Sequence, residues 1–306
     1  MILWVLSTMQ RTVSNGGLFY SLSLAMVVCA ASSCSQAEDA SPAVATAEVA
    51  VDRNRVPQGS PVDMTYRFRV AEKPGSTNYR VFVHVVDVDE ELMWTDDHEP
   101  AKPTSSWEPG QTVEYSRTMF APMYPYVGAA KVLVGLYDVS TKQRLKLSNT
   151  DRGDRSYHVA QFELLPQTEN VYLIYKDGWH PAEVAPENPA IEWKWTRKEA
   201  TVAFRNPKRD ATFILQMDNP SRAAGAATEV EVRVGDHPVA TVPVVAEDAP
   251  VRKFALSAAQ LGTGDMVEVR LIANRTFVPA LESGSKSGDT RELGVRVFHA
   301  FVQPSS

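Results

Sequence analysis

The sequence predicts an all-β protein in which an N-terminal export signal precedes two β-sandwiches. Apolar and polar residues alternate in many short runs, which is the pattern of half-buried strands. Turn-forming residues such as Pro57-Gln58-Gly59 and Glu108-Pro109-Gly110 separate these runs. No window shows the period of a long amphipathic helix. These three observations predict sheets that pack face to face.

The first element is an apolar run from Leu18 to Ala31 that follows the basic residue Arg11. This run is short and interrupted by serines, whereas a membrane span needs about 20 apolar residues. Small residues come after it, as they do at the cleavage site of an export signal. A start at Met9 would give the signal a normal charged beginning, so we expect residues 1–8 to be extraneous.

The end of this signal, Ala31-Ser32-Ser33-Cys34-Ser35, resembles a bacterial lipoprotein signal. The resemblance implies that residues 1–33 are removed as a signal peptide and that Cys34 carries acyl chains. Residues 34–42 would then form a flexible tether that holds the protein on an extracytoplasmic membrane surface. Because Ser35 is not Asp, the usual sorting rule of Gram-negative cells implies the outer membrane, at its periplasmic face or at the cell surface.

Two alternatives to lipidation at Cys34 stay open. Ala31 stands where the residue three before a lipidated Cys is most often Leu. Cys29 competes as the acceptor, although it follows two bulky valines whereas Cys34 follows two small serines. An ordinary secretory signal cleaved near Ala37 is the other reading.

Cysteine usage and charge exclude several classes of function. The chain contains 2 cysteines, and neither lies beyond Cys34, so the sandwiches contain neither a disulfide nor a Cys-ligated zinc. The formal net charge is −6 and no basic cluster is present, which argues against nucleic-acid binding. We therefore expect acyl chains, rather than charge, to be the link to the lipid bilayer, and we expect no cofactor.

Residues 43–166 are predicted to form an immunoglobulin-like sandwich. Short alternating runs at turn-bounded intervals over about 120 residues are typical of that architecture. The predicted strands cover residues 43–51, 62–70, 79–87, 111–119, 129–137 and 157–164.

Residues 167–306 are predicted to form a second sandwich, of jelly-roll type. A Gly-Asp turn at Gly235-Asp236 separates two of its strands, and the Ser- and Gly-rich segment 282–289 is expected to be a loop. The predicted strands cover residues 191–196, 199–205, 211–217, 228–235, 238–245, 251–256, 266–273 and 293–302.

Ordered motifs in both regions suggest a family. The first region contains Val83-His84-Val85-Val86-Asp87, Asp96-Asp97-His98, Trp107-Glu108-Pro109-Gly110 and Gly135-Leu136-Tyr137-Asp138. This set resembles the immunoglobulin-like domain appended to many bacterial membrane glycosyltransferases. The second region contains Trp193-Lys194-Trp195-Thr196 and Asp289-Thr290-Arg291-Glu292-Leu293-Gly294-Val295, which look like the jelly-roll modules that accompany the same transferases.

The resemblance implies accessory modules, because the chain has neither a multi-span hydrophobic region nor a transferase catalytic domain. It also implies carbohydrate or a glycoconjugate of the cell envelope as the ligand. The alternative is a structural lipoprotein that binds an envelope protein and no glycan. We expect no enzymatic activity, because the sequence contains no Gly-x-Ser-x-Gly motif and no Cys nucleophile beyond the anchor.

Aromatic side chains are the candidate carbohydrate-binding residues, because the apolar face of a sugar stacks on an indole ring. Trp193 and Trp195 are two residues apart on a predicted strand and therefore share a face, which is either core or platform. Trp179 lies in a predicted Gly-Trp-His-Pro loop and is expected to be exposed.

Charged side chains supply the other candidates. Arg291 can hold a hydroxyl or carboxylate bidentately, or it can form a salt bridge with Asp289 that pins the neighbouring loop. A metal site is not expected, although four residues carry ligand atoms that would serve if they converged. These weak metal candidates are His84, Asp96, Asp97 and His98.

Overall fold

Alternating side chains in the first half of the chain produce two sheets. A computed structural model describes residues 41–221, 228–246, 249–282 and 284–305, without the side chain of Ala190. The predicted export signal, Cys29 and Cys34 lie outside the described residues. The strands of the first half are β1 (Ala45–Val51), β2 (Arg55–Pro57), β3 (Pro61–Val70), β4 (Arg80–Val86), β5 (Leu92–Thr95), β6 (Thr112–Phe120), β7 (Gly128–Tyr137) and β8 (Tyr157–Leu165).

These strands form what we call the first sandwich. Within the described residues one sheet has the order β1-β3-β6 and the other has the order β2-β8-β7-β4-β5, with β2 parallel to β8. Every second residue of a strand faces the space between the sheets, as in the buried positions Met64, Tyr66 and Phe68 of β3. Trp107 follows a 3-10 helix (Thr104–Ser106), is fully buried and packs 5.2 Å from Phe68 between ring centroids.

The second half of the chain forms the second sandwich. Its sheets have the orders β10-β11-β18-β13-β16 and β15-β14-β17-β12-β9 within the described residues. The strands are β9 (Leu173–Tyr175), β10 (Trp179–Ala185), β11 (Asn188–Thr196), β12 (Glu199–Arg205), β13 (Ala211–Asp218), β14 (Thr228–Val234), β15 (His237–Val244), β16 (Val251–Leu256), β17 (Met266–Ala273) and β18 (Arg296–Pro304).

The second core is built in the same way as the first. Phe213, Leu215 and Met217 of β13 point between the sheets, where they meet Val230 and Val232 of β14. Helical structure in the described residues is limited to α1 (Ala258–Leu261) and to 3-10 helices at Thr104–Ser106, Gln167–Glu169 and Pro279–Leu281. No helix in this part of the chain is long and apolar enough to cross a membrane.

The prediction of an all-β fold made of sandwiches is confirmed. Strands β2, β5, β9 and β10 were not predicted. The predicted loop at Gly178-Trp179-His180-Pro181 was wrong, because Trp179 begins β10. Pro181 indicated a loop, because a central strand excludes proline. Here β10 is an edge strand whose register shifts between Trp179 and Ala182, and such an irregularity accommodates a proline.

The two sandwiches touch through the outer faces of two sheets. Lys253 of β16 donates to the carboxylate of Asp63 on β3, with Nζ 2.5 Å from Oδ1. The ring of His299 on β18 stacks on that of Phe120 on β6 with centroids 4.0 Å apart. Residues 41–306 consequently form one compact unit, and the predicted domain boundary between 166 and 167 stays a prediction.

Candidate ligand-binding surface

The outer face of the sheet β10-β11-β18-β13-β16 carries Trp193 and Trp195. Register fixes this orientation, since Trp195 pairs with Arg296 on β18 and Arg296 pairs with Asp218 on β13. Val297, which follows Arg296, and Met217, which precedes Asp218, pair with each other and point into the core. Side chains of paired residues share a face, so both tryptophans point away from the sandwich core.

Arg296 is the centre of a cluster on this face. Its guanidinium carbon lies 4.9 Å from the ring centroid of Trp193 and 4.9 Å from that of Phe298. Its Nε and Nη2 donate to the two carboxylate oxygens of Asp218 at 2.9 and 2.7 Å. The Asp218 side chain is only 4% exposed, so the bidentate pair neutralises a charge that would otherwise be costly to bury. We call Trp193, Asp218, Arg296 and Phe298 the Trp193 cluster.

A β-bulge puts Phe298 in this cluster. Gln216 of β13 pairs with His299, but the next residue, Met217, pairs with Val297, which leaves Phe298 as the extra residue of β18. The consecutive residues Phe298 and His299 therefore both point outward, whereas regular alternation would send one of them into the core. The ring of Phe298 therefore stands edge-on to that of Trp193, with centroids 6.2 Å apart.

Trp193 is the aromatic ring of this surface that remains available. Its side chain is half-buried, and its indole Nε1 has no hydrogen-bond partner among the described residues. An indole nitrogen that is removed from solvent normally finds an acceptor. The cluster thus combines a partly exposed aromatic ring with a guanidinium fixed by a carboxylate, while the buried Nε1 of Trp193 has no partner among the described residues.

The other two predicted tryptophans are not available in this way. Trp195 is 7% exposed, because Phe277 covers it with ring centroids 5.7 Å apart. Trp179 faces the second core, and its Nε1 donates to the carbonyl oxygen of Thr201 at 2.8 Å. Tyr175 meets the Trp179 ring edge-on at 4.9 Å between centroids.

Asp289 and Arg291 lie beside the Trp193 cluster, where they tie down a loop. Arg291 pairs with Asp289 at 2.6 Å and with Glu183 at 2.7 Å, and Glu183 is the cross-strand partner of Trp193. Hydrogen bonds from Arg291 lower the pKa of Asp289 to about 2. The guanidinium is thereby committed to two carboxylates of the protein, and this arrangement corresponds to the loop-pinning alternative.

Three of the four weak metal candidates, Asp96, Asp97 and His98, are engaged elsewhere in hydrogen bonds. Asp96 accepts two hydrogen bonds from Arg117 at 2.9 and 3.0 Å, and Asp97 accepts one from the backbone N–H of Val83. His98 is buried, and its Nδ1 must donate to the carbonyl oxygen of Asp96, because a carbonyl only accepts. No group of residues with metal-ligand chemistry converges in the described ranges.

The hydrogen bonds of the Asp97-His98 loop run to the strands rather than to the Trp107 turn. His98 bridges to Val81 of β4, and its Nε2 accepts from the Tyr115 hydroxyl of β6 at 2.8 Å. The loop therefore joins the two sheets of the first sandwich.

Comparison with known proteins yields distant structural matches. No protein-family model and no curated protein sequence matches it. A solved family GH115 4-O-methyl-alpha-glucuronidase with specificity for decorated arabinogalactans is 12% identical, with a TM-score of 0.33 over 50% of this chain and 20% of that one.

Two further solved structures are similarly distant. The CBM51-2 and INT domains of Clostridium perfringens ZmpB, in complex with GlcNAc, are 9% identical, with a TM-score of 0.25 over 85% of this chain and 49% of theirs. Collagen adhesin from S. aureus is 9% identical, with a TM-score of 0.17 over 86% of this chain and 97% of its own. At these TM-scores the likeness carries no argument about this chain.

Sequence reasoning missed Asp218, Glu183, Arg296 and Phe298. Asp218 ends β13 and Arg296 begins β18, so they are far apart in the chain and meet only through sheet pairing. No local pattern signals such a pair. Regular alternation in β18 cannot put both Phe298 and His299 on the outer face, because a bulge leaves no mark in the sequence.

Proposed function

We propose that this chain is a lipid-anchored, non-catalytic protein of the bacterial envelope that binds carbohydrate through the Trp193 cluster. The signal-like segment that ends at Cys34 supports the anchor. The convergence of a partly exposed indole ring with a carboxylate-fixed guanidinium supports the ligand class. No catalytic role is assigned to any residue.

The observation that carries the proposal is the partial exposure of the Trp193 ring. A sugar offers C–H groups on one face of its ring and hydroxyls around its rim. Trp193 presents a partly exposed ring face to the former, and the fixed guanidinium of Arg296 lies beside it for the latter. Binding sites of this kind are largely preformed, and here Arg296 and Asp218 hold the neighbouring groups in place before any ligand arrives.

The test is binding of the full chain to an array of envelope glycans. Removal of a central aromatic ring typically costs about 2 kcal/mol or more, so Trp193→Ala should weaken binding by about 30-fold. Trp94→Ala is the matched control, since Trp94 is also half-buried with an unpartnered Nε1 but lies in the first sandwich. No binding to any glycan, or equal losses in the two variants, would refute the proposal.

The anchor has its own test, which does not depend on the glycan. Metabolic labelling with palmitate should mark the wild-type chain and the Cys29→Ala variant but not the Cys34→Ala variant. Labelling that disappears with Cys29→Ala instead would transfer the acyl site to Cys29. Absence of labelling from the wild-type chain and from both variants would favour the ordinary secretory signal.

A separate surface favours the alternative, a protein-interaction role. Ile174 on the edge strand β9 is 53% exposed, and nearby Tyr172 and Met266 are 51% and 47% exposed. These side chains line a largely apolar concavity of about 550 Å³. A photo-crosslinking residue at position 174 should then capture one envelope protein in intact cells, whereas Ile174→Asp should abolish its binding and leave glycan binding unchanged.

A further inference from the structure

A second concavity lies on the first sandwich, on the outer face of the sheet β2-β8-β7-β4-β5. Val81, Val83 and Val85 of β4 fill the core, so Phe82 and His84 point outward. Phe82 lies against the backbone of Gly135 on β7. A Cβ at position 135 would stand 2.3 Å from Cε1 of Phe82, so glycine is what admits the ring.

The segment that connects β7 and β8 folds back over this face. Tyr137 bridges to Arg144, whose guanidinium carbon lies 4.4 Å from the Phe82 ring centroid. Between them Lys142 has a φ of +60°, a left-handed conformation that lysine rarely adopts. The resulting concavity of about 260 Å³ is lined by Phe82, His84, Asp97, Tyr137, Lys142 and Arg144.

The cationic groups of this concavity have unused hydrogen-bonding capacity. Lys142 Nζ lies 5.8 Å from the Tyr137 ring centroid, and Lys142 has no acidic partner in the part of the chain that the structure describes. Arg144 uses only Nη1, which donates to the backbone and side-chain oxygens of Asp154 at 2.9 Å. Its Nε and Nη2 have no acceptor among the described residues.

The remaining polar groups set the charge of a suitable ligand. The His84 ring makes no hydrogen bond within the described ranges, and its Nε2 lies 3.9 Å from Oδ1 of Asp97. That oxygen already accepts from the N–H of Val83 at 3.0 Å. The negative charges of Asp97 and of Asp154, which pairs with Arg144, disfavour a dianion. The spare donors of Lys142 and Arg144 instead suit a single planar anion.

We propose that this concavity binds the carboxylate group of a small organic anion. Lys142 supplies a point charge, Arg144 supplies parallel N–H donors that match carboxylate geometry, and the aromatic walls contact the rest of the ligand. The site lies on the first sandwich and is independent of the carbohydrate proposal for the Trp193 cluster.

The test follows the His84 ring resonances of the full chain by NMR at pH 7. Glucuronate and acetate should shift them saturably, glucose should not, and inorganic phosphate should bind more weakly than acetate. Tighter binding of glucuronate than of acetate would identify a sugar acid as the ligand. Equal affinities would assign recognition to the carboxylate alone, and both results support the proposal.

Substitution of Lys142 separates the effect of its positive charge on binding from any effect on the fold of the turn. Lys142→Asn removes the charge while keeping a residue that tolerates positive φ, so the turn should persist and the affinity for carboxylate should fall about tenfold. Lys73→Asn removes an exposed positive charge elsewhere on the first sandwich and should change affinity less than about twofold. Equal effects of the two variants, equal shifts with glucose, or tighter binding of phosphate would overturn the proposal. Trp193→Ala should bind carboxylate like the wild type.

Discussion

Among the glycines that the structure describes, Gly178 is the one where an added methyl group would lie closest to other atoms. Its φ is +84°, and a Cβ built there would lie 1.9 Å from the carbonyl oxygen of Glu199 and 2.7 Å from Cα of Ala200. Both neighbours are backbone atoms of β12, which hydrogen bonds hold against this segment. The Gly178 carbonyl accepts from Arg197 N at 2.7 Å, and the Asp177 carbonyl accepts from Thr201 N at 2.9 Å.

The magnitude follows from two separate costs of Gly178→Ala. A left-handed conformation costs a residue with a Cβ about 1–2 kcal/mol. Overlap that forces a backbone shift in a packed region adds about 1–3 kcal/mol. We therefore expect the free energy of unfolding to fall by about 2–5 kcal/mol, which lowers the Tm by roughly 3–8 °C for a chain of this length.

The matched control is Gly110→Ala. Gly110 has a φ of +82°, but a Cβ there would meet no atom within 4 Å. It should therefore show only the conformational cost of about 1–2 kcal/mol. Urea unfolding followed by circular dichroism and tryptophan fluorescence measures both variants. Equal losses of stability would refute the reasoning, because the overlap with β12 would then contribute nothing.

Three further predictions concern stability. Burial lowers the pKa of His98, so below about pH 6.5 its imidazole binds fewer protons in the folded than in the unfolded state. The contribution of His98 to stability should be constant above that pH and fall below it. His98→Gln should therefore reduce the fall in stability seen by urea unfolding between pH 7 and 5. Arg296→Ala leaves the buried Asp218 carboxylate unpaired and should cost about 3 kcal/mol in urea unfolding, whereas a double variant that also replaces Asp218 with Leu should cost less. Gly135→Ala should cost about 1–3 kcal/mol through overlap with Phe82, and a double-mutant cycle with Phe82→Leu should recover part of it.

Most strands could be predicted because each shows an alternation of apolar and polar residues within its own sequence. In β3, the alternation from Val62 to Val70 places every second side chain in the core, and the structure has that pattern. The exceptions are short or irregular elements. Three-residue strands such as β9 contain too few residues to show a period, and β10 combines a positive-φ glycine before it with a proline inside it.

The candidate site was less predictable than the fold. The sequence correctly indicated that Trp193 and Trp195 share a face, because this depends only on local strand geometry. It left open whether that face was core or surface, and it had no means to show that Phe277 covers Trp195 while Trp193 stays partly open. Whether a residue of the outer face is covered depends on a segment that lies far along the chain, as Phe277 does from Trp195.

The sequence by itself determined the all-β class, most strand positions and the alternation that builds both cores, since these depend on neighbouring residues and the period of a strand. Only the tertiary structure decided which charges meet. Arg296 reaches Asp218 through sheet pairing, and Arg144 reaches Phe82 because a loop folds back over β4. Hydrophobic periodicity says which side chains share a face, but long-range packing decides what stands opposite them, and the two proposed binding surfaces arise from that second step.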